Sequence, residues 1–71
     1  MRRVLRARLR RRVIVSTKAG DAFRGVFFEA DREAIVLRSA EAADPRGDKQ
    51  WITADGEVVI LVADVAYLQF E

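Results

Sequence analysis

The sequence has no cysteine and no histidine, and only one proline, one tryptophan and one tyrosine in 71 residues. Without cysteine no disulfide can form, and without either residue a zinc or iron–sulfur site is not expected. The lack of cysteine fits a cytoplasmic location. The same absences remove the usual nucleophiles and bases of catalysis. Ser16 and Ser39 lie in strand-like segments with no base nearby in sequence, and Glu29, Asp31 and Glu33 gather at a turn, where solvated acids belong. Paired carboxylates do acid–base work only when burial splits their pKa values, so neither an enzyme nor a cofactor is expected. Long apolar runs are missing too. None approaches the roughly 20 residues that span a bilayer, and the basic start is followed by more arginine rather than by an apolar segment, so it does not read as a secretory signal. No membrane partner is expected.

A chain of 71 residues makes one domain. At this size only about 60% of the surface of the unfolded chain is buried on folding, and small folds compensate with disulfides, a metal or oligomerisation. With the first two set aside, self-association remains, and an apolar content of 51% suits it.

Acid is absent from residues 1–12, which carry seven arginines at positions 2, 3, 6, 8, 10, 11 and 12. Residues 13–71 carry six basic and eleven acidic side chains, a net of −5, so the overall +2 conceals a basic arm on a mildly acidic body. Such a split points to a partner with a negative surface. Residues 1–12 read as a short helix, since arginine, leucine and alanine are good helix formers and glycine and proline are absent. Val4, Leu5 and Leu9 share one face, expected to dock on the body, while Arg2, Arg3, Arg6 and Arg10 fall on the other. Nucleic-acid phosphates are the favoured partner of those arginines. The plainer alternative is a solvated helix whose arginines serve solubility or pair with acids of a neighbouring subunit. Anionic membrane is the weakest option, because the apolar face is small and lacks aromatics.

The body is organised around residues 13–37. They form three short strands, over residues 13–17, 22–30 and 35–40. Gly20 sits where a hairpin turn must form, Gly25 inside the second strand where glycine marks a bend or bulge, and Asp31 at the next turn, where a short carboxylate can accept from backbone amides. Residues 41–50 hold the only proline and a cluster of charges, and are expected to be a variable, solvated loop. Residues 51–71 read as a fourth strand, a tight turn at Asp55 and Gly56, and a fifth strand after a short break at Ala63 and Asp64. This pair is apolar enough to be an open-edge hazard unless another copy covers it. Trp51 is expected to pack on the core or an interface rather than to stack on a base, and Tyr67 is a candidate for an intersubunit contact.

A helix followed by five strongly bent strands resembles the Sm-like (LSm) family, which includes bacterial host-factor riboregulators. The first family motif is similar to Val13, Val15, Lys18, Gly20, Phe23, Gly25, Phe27 and Asp31 at their spacing here, followed by Ile35, Val36 and Leu37. The second is similar to Gly56, Val58, Val59 and Ile60, followed by Val65 and Leu68. The resemblance covers nearly the whole chain. It implies a mostly β fold: a small five-stranded, strongly bent antiparallel barrel of SH3-like type with an N-terminal helix, whose fourth and fifth strands pair between subunits to close a homo-oligomeric ring of five to seven copies. It also implies RNA as partner, but the sequence departs from the family at the base-reading residues. The segment after Asp31 is one residue short, so Ala34 stands where the family commonly has asparagine, with Arg32 or Glu33 at the stacking position. Leu61 and Val62 stand where the family has Arg-Gly or Lys-His. An alanine cannot read a base edge and a leucine brings no charge, so the usual uridine pocket is expected to be missing.

Two functional readings follow. In the first, an Sm-like ring binds RNA, or another nucleic acid, non-specifically through the arm. Arg2, Arg3, Arg6 and Arg10 are the first candidates for phosphate contacts, Arg8, Arg11 and Arg12 the second, and Arg32 a candidate base contact. In the second, the ring is a structural or assembly module of viral, phage or mobile-element origin, and the arginines meet an acidic protein.

Overall fold

The computed structural model describes residues 6–44 and 50–71. Its elements are strands β1 (Arg12–Thr17), β2 (Ala22–Ala30), β3 (Ala34–Ala43), β4 (Trp51–Thr53), β5 (Val58–Leu61) and β6 (Val65–Phe70), with a 3-10 turn at Val62–Asp64 before β6. They form one antiparallel sheet in the order β4-β3-β2-β1-β6, and β5 pairs with the other half of β3.

Alternation places the core. Val13 and Val15 of β1 point inward and are fully buried, as are Phe27 of β2, Leu37 and Ala40 of β3, with Ile35 and Ile60 nearly so. Leu9, Phe23, Val58, Leu68 and Phe70 pack around them. One face of a short sheet can enclose such a core only if the sheet bends sharply, and two irregularities supply the bend. The β2–β3 register shifts between Arg24 and Val26, opposite Ser39 and Ala40, and again between Phe27 and Glu29. At the first shift Ser39 takes φ 51°. Opposite it is Gly25, where a Cβ would lie 2.8 Å from the Arg38 carbonyl oxygen; only a residue without a side chain lets the two backbones come this close. The β1–β2 hairpin turns at Gly20 (φ 95°), closed by a Gly20 N–H bond to the Thr17 carbonyl at 3.1 Å and an Asp21 N–H bond to Thr17 Oγ1 at 3.0 Å.

Three expectations change. Residues 7–11 are turn and bend rather than helix, and Arg12 already belongs to β1. Arg10 adopts φ 70°, which no right-handed helix accommodates. Its N–H donates to the Phe27 carbonyl at 2.6 Å, and the Phe27 N–H donates to the Arg11 carbonyl at 2.8 Å. The β1–β2 ladder thus captures the segment that local propensity would have made helical. The remainder of the expected helix, residues 1–5, lies outside the described residues, as do residues 45–49 of the expected loop. Second, that loop is shorter than expected: β3 runs on through Ala43 because residues 41–43 pair with β4, and the Asp44 N–H donates to the Gln50 carbonyl at 2.9 Å. Third, residues 51–71 hold three strands rather than two: the turn expected at Gly56 (φ 77°) separates β4 from β5, which share one edge of β3, and β6 follows the 3-10 turn.

Among the described residues, β5 and β6 each have a strand partner on one side only. Val59, Leu61 and Tyr67 on these edges are 60%, 54% and 61% exposed. Beside β5 lies an open cleft of about 470 Å³ bounded by Thr17, Phe23, Ile60 and Asp64.

Candidate nucleic-acid interface

Four candidate phosphate ligands, Arg6, Arg10, Arg11 and Arg12, are exposed, and Arg8 is half-buried. Arg2 and Arg3 lie outside the described residues. The segment is held to the body by its apolar residue and by its backbone. Leu9 packs on the core, and Leu9 N–H to Arg6 carbonyl (3.3 Å) and Arg11 N–H to Arg8 carbonyl (3.2 Å) bonds form the turn. The guanidinium carbons of Arg8 and Arg11 each lie 5.8 Å from the centre of the Phe70 ring, within range of attraction by its negative face. Phe70 in turn meets Phe27 edge-on, with ring centres 5.4 Å apart. Arg11 Nη2 donates to the Glu71 carbonyl at 2.8 Å. Arg12 Nε is 3.9 Å from Glu71 Oε1 with both side chains about half exposed, a pair that contributes little in water. The end of β6 therefore gathers three arginines, Arg8, Arg11 and Arg12, around Phe70 and Glu71.

A second cluster surrounds Phe28. The Arg38 guanidinium carbon lies 3.6 Å from the ring centre and that of Arg10 lies 5.8 Å from it. Arg38 Nε donates to Glu57 Oε2 at 2.8 Å. On the far side of the sheet's long strands, Arg24 Nε donates to Glu41 Oε1 at 2.8 Å while its guanidinium covers Trp51 at 4.4 Å. The Arg24 bond holds the Glu41 carboxyl below the usual glutamate range. Trp51 thus packs on a charged side chain, half-buried.

The turn after β2 is built by Asp31. Its Oδ1 accepts from the N–H of Glu33 at 2.8 Å and of Ala34 at 2.9 Å, and these two donors hold the carboxyl below the usual aspartate range. The Val62 N–H donates to the Glu33 carbonyl at 2.8 Å, and Ala34 pairs with Leu61. The structure therefore brings together the two segments, residues 32–34 and 61–62, that lie far apart in sequence. Arg32 and Glu33 are exposed in that turn. Arg32 does not join the arginines of the arm in any hydrogen bond or ring contact found among the described residues.

Sequence reasoning missed the aromatic anchoring of the arginines. The signal was available in part: Arg10 and Arg38 flank Phe28 once the strands are paired, but that pairing depends on a bulge whose position the alternation pattern does not give.

No family model matches the sequence, and no curated protein does. Solved structures match closely in shape. A heptameric archaeal Sm protein superposes with a TM-score of 0.83 at 19% identity, with 96% of each chain covered. The P. aerophilum SmAP1 heptamer gives 0.84 at 19% identity over 96% of this chain and 88% of that one. A Pyrococcus abyssii Sm protein in complex with a uridine heptamer gives 0.82 at 27% identity over the full length of both. The glycine-dependent bulge, the Asp31 turn, the two strands sharing one edge of β3 and these superpositions lead to one conclusion: the chain has the fold of the Sm proteins.

Proposed function

We propose that the protein assembles through its β5 and β6 edges into an Sm-like ring and binds RNA, or another nucleic acid, non-specifically through the arginines of residues 1–12, without the usual uridine pocket. The observation that carries this is the concentration of cationic side chains at one end of the sheet. Arg6, Arg10, Arg11 and Arg12 are exposed there, and Arg8 and Arg11 are anchored on Phe70. In a ring of five to seven copies the arm would multiply into a dense positive face, whose affinity for phosphates falls steeply with salt. The heptameric neighbours support the ring, and the neighbour in complex with a uridine heptamer supports RNA as the ligand class. An N-terminal helix over the part of the arm ahead of Arg6 belongs to the same proposal.

Ala34 pairs with Leu61, and Glu33 accepts from the Val62 N–H; that Ala34, Leu61 and Val62 carry neither a base-reading group nor a cation supports backbone contacts over base-edge readout. It also supports the second reading, an assembly module that meets an acidic protein. Titration of labelled oligo-uridine and of a random single strand at two salt concentrations separates the two. Equal binding that collapses with salt is the expected result. No binding at low salt leaves the assembly module.

A further inference from the structure

Arg8 and Arg11 belong to the arm, but what holds their side chains lies at the far end of the sequence. Phe70, the last residue of β6, pairs with Val13, and its ring meets the buried Phe27 edge-on, with ring centres 5.4 Å apart. The ring is therefore fixed from the core side. The guanidinium carbons of Arg8 and Arg11 each lie 5.8 Å from its centre. Leu9, beside Arg8 in the chain, packs on the core. The Arg11 N–H bond to the Arg8 carbonyl at 3.2 Å closes the turn that brings both side chains to one ring. Arg11 Nη2 is pinned further by the Glu71 carbonyl at 2.8 Å. Arg6, in contrast, is exposed and makes no ring contact or ion pair among the described residues.

A carboxylate and an aromatic ring hold an arginine in different ways. A carboxylate orients the guanidinium by neutralising it, as at Arg24 with Glu41 and Arg38 with Glu57. A ring attracts it through a quadrupole and carries no net charge, so the arginine is positioned without being neutralised by its anchor. We propose that Phe70 is the positioning residue of the arm: it pre-organises Arg8 and Arg11 as phosphate ligands and makes each contribute more to binding than Arg6. The inference rests on the proposed nucleic-acid binding and adds to it a residue, outside the arm, on which the affinity depends. A long side chain that must be immobilised on binding loses rotamer freedom, and holding it in place beforehand removes that loss. Phe70 does this for two arginines at once, from a strand whose own position is set by β1 and the core.

The test is fluorescence anisotropy on the full-length protein with a labelled random single-stranded 12-mer at several salt concentrations, with native mass spectrometry and thermal unfolding monitoring each variant. Phe70→Leu should bind roughly tenfold more weakly at an unchanged salt slope, because no charge is removed, while Phe70→Tyr should keep the wild-type affinity. A double-mutant cycle separates positioning from general destabilisation. In an Arg8→Gln/Arg11→Gln background Phe70→Leu should cost no further affinity, whereas a residue that only supports the fold would weaken binding equally in both backgrounds. Should Phe70→Leu fail to fold, the single arm variants decide: Arg11→Gln should cost several times more affinity than Arg6→Gln, and equal losses overturn the proposal. A folded Phe70→Leu protein with wild-type affinity, or an equal loss in both backgrounds, overturns the positioning role and leaves arm binding intact. Absence of binding by the wild type at low salt overturns both.

Discussion

Replacing Gly25 by alanine tests the feature on which the shape of the sheet depends. The added Cβ would stand 2.8 Å from the Arg38 carbonyl oxygen, 3.0 Å from Ala40 Cα and 3.3 Å from Ala40 Cβ. Carbon–oxygen contacts between strands ordinarily begin near 3.3 Å, so the overlap is about half an ångström. The obstacles are backbone atoms and a methyl group, none of which can rotate away, so β3 itself must move. Overpacking a buried site costs about 1–3 kcal/mol, and a clash with backbone belongs at the upper end, about 2–3 kcal/mol. For a domain of this size that corresponds to a fall in Tm of about 10–20 °C. Gly20→Ala is the internal control. Gly20 has φ 95° but nothing within 4 Å of an added Cβ, so its cost is conformational alone, about 1–2 kcal/mol. Thermal and urea unfolding would be compared at one protein concentration, because the proposed assembly would make the midpoint concentration-dependent. A Gly25→Ala protein within about 0.5 kcal/mol of wild type, inside the range of ordinary surface substitutions, or more stable than Gly20→Ala, would refute the close approach of the two strands.

Acid sensitivity follows from Asp31 and Glu41, whose carboxyls are held low by the Glu33 and Ala34 amides and by Arg24. A depressed folded-state pKa contributes stability that is present above the unfolded value and lost as pH falls through the folded one. The difference in unfolding midpoint between wild type and an Asp31→Asn/Glu41→Gln double variant should therefore be full at pH 7 and shrink below about pH 4; a constant difference speaks against these bonds. Arg6→Gln combined with Arg12→Gln should reduce the slope of log affinity against log salt by about 0.7 for each phosphate no longer neutralised, read by anisotropy with random single strands, and an unchanged slope removes these residues from the interface. Leu61→Asp places a charge on the exposed β5 edge and should shift native mass spectra from ring to folded monomer, whereas retention of the ring would locate assembly elsewhere.

Much of the fold was legible because turn chemistry and alternation are local. Gly20, Asp31 and Gly56 each stand where the chain must reverse, and Val13, Val15, Phe27 and Leu37 alternate inward as their spacing suggests. Gly25 was legible as an irregularity, but not as the close approach to Arg38 and Ala40, which needs a partner strand 14 residues away in sequence at Ser39. The arm failed for the opposite reason. Its propensity is helical, but tertiary hydrogen bonds from Arg10 and to Arg11 outweigh a preference of a few tenths of a kcal/mol per residue. The extension of β3 into the expected loop was hidden because Ala42 and Ala43 carry little strand preference of their own and are held by Trp51 and Ile52 across the ladder. At the candidate site, charge identified the arginines, while Phe28, Phe70 and Trp51 gave no sign that they would anchor them.

The left-handed backbone at Arg10 has a consequence for how the protein can change. A residue with a side chain held at φ 70° costs about 1–3 kcal/mol more than one in an ordinary conformation, and glycine would remove that cost. Arg10→Gly is thus expected to raise the melting temperature while deleting a guanidinium by Phe28 that has no acid in salt-bridge range among the described residues. Selection for heat resistance alone would erase this position early, and selection for binding would restore it. The strained arginine is a place where lineages under different demands should diverge.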